Sequence, residues 1–163
     1  AKGFAVDMIN NFLKDHDNYL IDIGGELSVK GTNKGDFWNI GLQDPKFMTN
    51  KPIYIISTNK WYSIATSGEY RNYKIKDNIK ISHTINPKTL NSIKNNLLSV
   101  TVINDDDIPV TAFVDALATA FNAMGYKTAY DYANQLDIAA LFLVDEEGDI
   151  NIIKTEKWYN LDL

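Results

Sequence analysis

The sequence predicts an α+β domain made mainly of antiparallel strands packed with helices. Three observations carry this. The chain opens with apolar residues at helical spacing. A run of short β-rich segments follows, divided by Gly, Pro, Asn and Asp. Two helical stretches and a hairpin pattern close it.

In the opening segment, Phe4, Ala5, Met8, Ile9, Phe12 and Leu13 recur at helical spacing. His16-Asp17-Asn18 ends the helix. Tyr19 to Ile23 is a short apolar strand stopped by Gly24-Gly25. Glu26 to Lys30 alternates in polarity and reads as its hairpin partner. Phe37 to Leu42 is a strand closed by Asp44-Pro45. Ile53 to Ser57 and Trp61 to Ala65 are β-rich runs around Asn59-Lys60. Tyr73 to Lys76 and Ile79 to Ser82 alternate around Asp77-Asn78. A polar loop spans Asn86 to Asn96, and Leu97 to Ile103 is a strand. Asp105, Asp106 and Asp107 are candidate N-caps for the next helix, with Pro109 suited to its first turn. That helix runs to about Met124 and stops at Gly125. Lys127 to Gln135 is a second helix. Ala139 to Val144 and Asp149 to Lys154 form a hairpin across Glu146-Glu147-Gly148.

Composition narrows the function classes. At 163 residues the chain is the size of one domain, and 45% apolar residues suffice for a real core. No apolar run approaches the length of a membrane-spanning helix. The net charge of −5, without a Lys/Arg cluster, argues against a nucleic-acid surface. Cysteine is absent, which excludes disulfides, thiolate metal sites and a Cys nucleophile.

Several residues are candidates for chemistry, each with a plain structural alternative. Asp115 and Thr119 sit one helical turn apart and project from one face. A carboxylate and a hydroxyl are hard oxygen donors suited to Mg²⁺ or Ca²⁺. The alternative is a solvated Asp and a Thr bonded to its own backbone. Gly24-Gly25 permits a tight turn and close approach of a ligand, with Glu26 beside it; a simple hairpin turn is the alternative. Lys2 and Gly3 head a helix whose free N–H groups attract anions. Asp7 reads as a helix-surface acid. Thr66-Ser67-Gly68 reads as a break between β-rich runs, and with Arg71 it could hold phosphate or form a bulged connection. His83 is one of two histidines and lies in a β-rich run, where a structural role is the commoner one.

Taken together and in order, four sets of residues resemble one family. They are Ala1-Lys2-Gly3-Phe4-Ala5-Val6-Asp7 with Ile21-Asp22-Ile23-Gly24-Gly25-Glu26; Ile64 to Tyr73; Ser82-His83-Thr84-Ile85-Asn86-Pro87-Lys88-Thr89; and Ser99 to Ile103 with Val114-Asp115-Ala116-Leu117-Ala118-Thr119-Ala120. The family is ApbE, the FAD:protein FMN transferases. The resemblance implies a single ApbE-like, T-fold-like domain over residues 1–163, the C-terminal part of a longer chain. It implies Mg²⁺ held by Asp115 and Thr119, with a further backbone carbonyl upstream of Ala1. FAD is implied against Lys2, Gly24, Gly25, Glu26, Ser67, Gly68 and Ile85. Two departures stand out. Asn86 replaces the family's usual Asp, which removes a charge. Leu90 replaces its usual Gly, which suggests a different loop conformation because Leu avoids positive φ.

The implied reaction is Mg²⁺-dependent transfer of FMN from FAD to a Thr of an acceptor flavoprotein, a redox-complex subunit, with release of AMP. His83 is the candidate for taking the Thr proton. Two other readings stay open: an FAD pyrophosphatase yielding FMN and AMP, and a flavin-binding module without catalysis. The resemblance also implies an exported, periplasmic protein of the bacterial envelope, lipid-anchored through an upstream segment.

Overall fold

The computed structural model describes residues 1–46, 51–68, 73–76, 79–82, 84–93, 95–106 and 108–163, with backbone alone for 73–76 and 79–81. Helix α1 (Lys2–Phe12) is followed by strands β1 (Tyr19–Ile23), β2 (Glu26–Lys30), β3 (Trp38–Gln43), β4 (Pro52–Thr58), β5 (Tyr62–Gly68), β6 (Tyr73–Lys76), β7 (Ile79–Ser82) and β8 (Leu97–Asn104). Then come α2 (Thr111–Met124), α3 (Tyr126–Gln135), β9 (Ala139–Glu146), β10 (Asp149–Lys154) and a short α4 (Glu156–Tyr159). This is the expected α+β architecture.

Six strands form the main sheet in the order β1-β2-β5-β8-β9-β10, with every neighbour antiparallel. The hairpins β3–β4 and β6–β7 are insertions between its strands and, among the described residues, pair only within themselves. Two-residue turns close β1–β2 and β9–β10. Ile23 faces Glu26 across Gly24-Gly25, and Glu146 faces Asp149 across Glu147-Gly148. All four turn residues have positive φ, the geometry that suits a twisted hairpin.

The core lies on both faces of this sheet. On one, Leu27, Ile64, Ile103 and Leu141 pack under the β3–β4 hairpin and Trp158. On the other, Val100, Val102 and Phe142 pack against Val114 and Phe121 of α2 and Ala129 and Ala133 of α3. Strand β2 is therefore buried along most of its length, Glu26 included, rather than alternating as its residue pattern suggested. Its neighbours on both edges and layers on both faces leave it no solvent side.

Other expectations are corrected. Thr66, Ser67 and Gly68 do not break a strand: they continue β5, opposite Thr101, Val100 and Ser99 of β8. The first residue of α2 is Thr111, so Pro109 precedes the helix, and Asp105 and Asp106 do not cap it. Asp107 lies outside the described residues. Helix α1 is present where helical spacing placed it; Phe4, Met8, Ile9 and Phe12 face outward, and Gly3, Val6 and Asn10 are buried. Leu90, expected to avoid positive φ, adopts φ +57. Asn86 supplies the hydrogen bonds an Asp could: its Oδ1 accepts the N–H groups of Lys88 and Thr89 at 2.9 and 3.3 Å.

Candidate functional site at the α1–α2 junction

The N-terminal ends of α1 and α2 meet without side chains between them. A Cβ on Gly3 would fall 2.5 Å from the Thr111 carbonyl oxygen and 2.8 Å from the Ala112 Cα, so only glycine permits this approach. Asp7, one turn further along α1, faces the start of α2. Its Oδ1 accepts the Thr111 N–H at 2.8 Å and its Oδ2 the Ala112 N–H at 2.9 Å. The α2 N-cap position is Val110, which has no side chain able to do this. Asp7 is thus a cap supplied from a second helix, not the plain surface acid its position suggested. A carboxylate there also meets the positive end of the α2 dipole.

One turn into α2, the relation is reciprocal. Asp115 is about one-fifth exposed (21%), and its Oδ2 accepts the Gly3 N–H at 3.0 Å. Across from it, Lys2 donates to the Gly24 carbonyl oxygen at 3.1 Å and pairs with the buried Glu26 carboxylate. Burial pushes the Glu26 carboxyl above its usual range. Lys2 opposes that shift, and the nearby Asp115 charge adds to it. The Gly24-Gly25 turn is held from inside, since Asp22 Oδ1 accepts the Gly25 N–H at 2.9 Å. Lys2, Gly24, Glu26 and Asp115, which sequence reasoning singled out separately, therefore form one connected cluster.

Through Lys2 and Gly24 the cluster reaches a cleft of about 560 Å³ between the main sheet and β3. Lys2, Gly24 and Gly25 line one part of it, and Thr66 and Gly68 of β5 another. Thr66 and Thr101 meet on its floor, with their hydroxyls 2.8 Å apart. Asn39 and Gln43 of β3 close the opposite side. This volume suits a ligand of drug or nucleotide size.

The remaining candidates are placed differently. Ser67, next to Thr66 on β5, points to the other face of the sheet by strand alternation. Thr119 is exposed on α2, and its hydroxyl donates to the Asp115 carbonyl oxygen at 3.1 Å. That back-bond uses the proton and leaves the oxygen lone pairs for a cation. Asp115 Oδ1 has no partner among the described residues, so a carboxylate oxygen and a hydroxyl oxygen one turn apart on α2 remain as hard donors. They fit a Mg²⁺ ion that draws its other ligands from elsewhere. Among the described residues, no three His, Cys, Asp or Glu side chains converge as a metal site. Ile85 is exposed and bridges Ser92 in the loop after β7. His83 and Arg71 lie outside the described residues.

Sequence reasoning gave no role to Asp22, Thr101, Asn39 or Gln43. Asp22 had a readable signal: an Asp three residues before the second glycine of a tight turn is placed to accept its N–H. The Thr66–Thr101 pair had none, because it depends on the β5–β8 register.

Comparison with known proteins identifies the family. The model of the ApbE family matches residues 1–142. The chain belongs to the ApbE family. Among characterised relatives, the FAD:protein FMN transferase of Vibrio cholerae is 38% identical over 151 residues, which cover 90% of this chain and 44% of that protein. The Escherichia coli K12 protein of the same name is 32% identical over 152 residues, 91% of this chain and 42% of the other. Among solved structures, the apo Pseudomonas stutzeri flavinyl transferase ApbE superposes with a TM-score of 0.82 at 32% identity. It covers 99% of this chain and 49% of its own. The ApbE protein of Thermotoga maritima gives 0.79 at 26% identity, with coverages of 98% and 50%. The chain thus spans a little under half the length of these curated ApbE relatives, and about half of the solved chains.

Proposed function

We propose that this chain carries the flavin-nucleotide and cation-binding residues of an FAD:protein FMN transferase. The observation that carries the reading is the linkage of Lys2 to Gly24 and Glu26, with Asp115 bound to the adjoining Gly3, beside a cleft that Lys2 and Gly24 line, in a chain of the ApbE family. In the proposed reaction the hydroxyl oxygen of an acceptor Thr bonds to the phosphorus on the FMN side of the FAD pyrophosphate. The bond from that phosphorus to the bridging oxygen breaks, and AMP leaves. His83 is the proposed acceptor of the Thr proton, on sequence grounds alone.

The residues of the cluster have distinct tasks in this proposal. Gly24 and Gly25 let the nucleotide approach backbone, and Lys2 offsets phosphate charge. Gly68 and Glu26 border the nucleotide, with Ser67 and Ile85 as its further contacts. Asp115 and Thr119 would hold Mg²⁺, which when bound supplies positive charge for the developing phosphate oxyanions. Gly3 orients Asp115 by donating its N–H. The acceptor would be a flavoprotein of a redox complex, on the exported side of a bacterial envelope and reached through a lipid-anchored enzyme. Among the described residues no helix is long and apolar enough to cross a membrane.

Mass spectrometry tests the reading. The protein is incubated with FAD, Mg²⁺ and a Thr-containing acceptor flavoprotein. The expected result is AMP together with an FMN mass on the acceptor. AMP with free FMN would make the chain part of a pyrophosphatase instead. Bound FAD without AMP would leave a binding module. Turnover unchanged in Asp115→Ala would overturn the metal assignment.

A further inference from the structure

A second cavity lies on another side of α2 from Asp115. It measures about 420 Å³ and shares none of its lining residues with the first cleft. Phe113 and Leu117 of α2 form one wall, and Leu136, Asp137 and Ile138 of the α3–β9 link form a second. Phe113 and Leu117 each stand two positions from Asp115, so they point away from it around the helix. The apolar walls reach solvent, since Phe113 is 58% and Leu136 50% exposed. The end of β8 and Lys157 of α4 complete the enclosure. Walls from four chain segments make a concave site rather than a flat face, and its size is that of a small-molecule pocket.

The charge around these walls is unbalanced. Asp105, Asp106, Asp137 and Lys157 all border the cavity. Lys157 pairs with Asp105 at 3.4 Å. Among the described residues, Asp106 and Asp137 enter no ion pair. Asp106 Oδ2 accepts the Asn104 side-chain amide at 3.1 Å, a neutral donor that leaves the charge in place. A helix end adds to this. Leu136 is the C-cap of α3, so the negative end of that helix dipole lies at the second wall. The positive end of α2 is already met by Asp7.

We propose that this cavity binds a small amphipathic cation, an amine or guanidinium compound with an apolar body. The apolar part would lie among Phe113, Leu117 and Leu136, and the positive group would meet Asp106 and Asp137. The Phe113 ring offers a face that a cation can approach. An anion would be repelled by the same carboxylates, and a neutral apolar molecule would leave both of them unanswered. The proposal does not depend on the reaction assigned to the first cleft.

Titration of the chain with phenethylammonium, followed by amide NMR, tests it. Phenethyl alcohol and phenylacetate are the neutral and anionic controls. Saturable shifts are expected at the amides of Asp106, Phe113 and Leu136. The alcohol should bind at least about tenfold more weakly, and phenylacetate should leave these amides unmoved. Asp106→Asn and Asp137→Asn should each weaken phenethylammonium binding by about twofold to fivefold. Asn keeps the acceptor oxygen of Asp106 and tolerates the left-handed backbone of Asp137, at φ +52, so both variants should fold. Leu136→Lys places a positive charge at the half-exposed rim and should abolish binding, with the urea midpoint of the chain unchanged. Three results would overturn the proposal: no saturable shift with phenethylammonium, an alcohol that binds as tightly as the ammonium, or shifts that survive Leu136→Lys.

Discussion

Removing the Asp7 carboxylate should loosen α2 from its first turn. In Asp7→Ala, the N–H groups of Thr111 and Ala112 both lose their acceptor. Thr111 is fully buried, so water cannot easily replace it. Loss of an N-cap costs about 0.5–2 kcal/mol, and hydrogen bonds to a charged group contribute about 1.5–3 kcal/mol. These overlap rather than add, and together with the dipole interaction they give a loss of about 2–4 kcal/mol. For a chain of this size that lowers Tm by about 5–15 °C. Asp7→Asn keeps one acceptor without charge and should lose about half as much. Urea unfolding followed by tryptophan fluorescence measures both, since Trp158 is buried in the core. Hydrogen exchange should also quicken in the first turn of α2. A loss below about 0.5 kcal/mol for Asp7→Ala, the usual scale of an uninvolved surface change, would refute the capping argument.

Gly3→Ala should destabilise by about 1–3 kcal/mol in the same urea assay, because the new Cβ meets backbone atoms of α2; helix propensity alone predicts the opposite sign. Glu26→Gln should change the pH dependence of stability. The folded chain holds the Glu26 proton above its ordinary value of 4.5, so as pH rises from there the unfolded state binds fewer protons and the wild type loses stability. Urea midpoints across that range should fall for the wild type relative to Glu26→Gln, and parallel curves would contradict the assignment. Leu90→Gly should stabilise by about 0.5–1 kcal/mol in thermal unfolding. It relieves a left-handed residue, and the Leu90 side chain is 79% exposed and packs on little.

The elements were legible because local signals governed them. Gly24-Gly25 and Glu146-Glu147-Gly148 marked the hairpins, and the apolar run from Ala139 to Val144 marked a strand. What failed was decided by contacts distant in sequence. Ser67 and Gly68 looked like a loop because small polar residues often are one, but pairing with β8 overrode that preference. Helical spacing announced α1 but not which side of it is buried. The structure buries the face that can approach α2 closely and carry Asp7 to its N-terminus. Short α4 was not anticipated; it anchors through Trp158 and through Thr155, whose hydroxyl donates to the Ile138 carbonyl. At the candidate site, Lys2, Gly24, Glu26 and Asp115 were named one by one from motifs, while their mutual bonding required the fold.

The clamp between the two helices joins residues more than a hundred positions apart: Gly3 with Asp115, and Asp7 with Thr111. Neighbouring strands of the sheet can zip together stepwise, but this closure waits until nearly the whole span has condensed. Its entropy cost grows only slowly with loop length, yet it arrives late and slows folding. A ligand seated at the junction would hold shut the last contact to form and the first to open. Such a ligand should act chiefly by slowing unfolding, and a nick anywhere between Asp7 and Thr111 would turn the clamp from an intrachain bond into the weak meeting of two fragments.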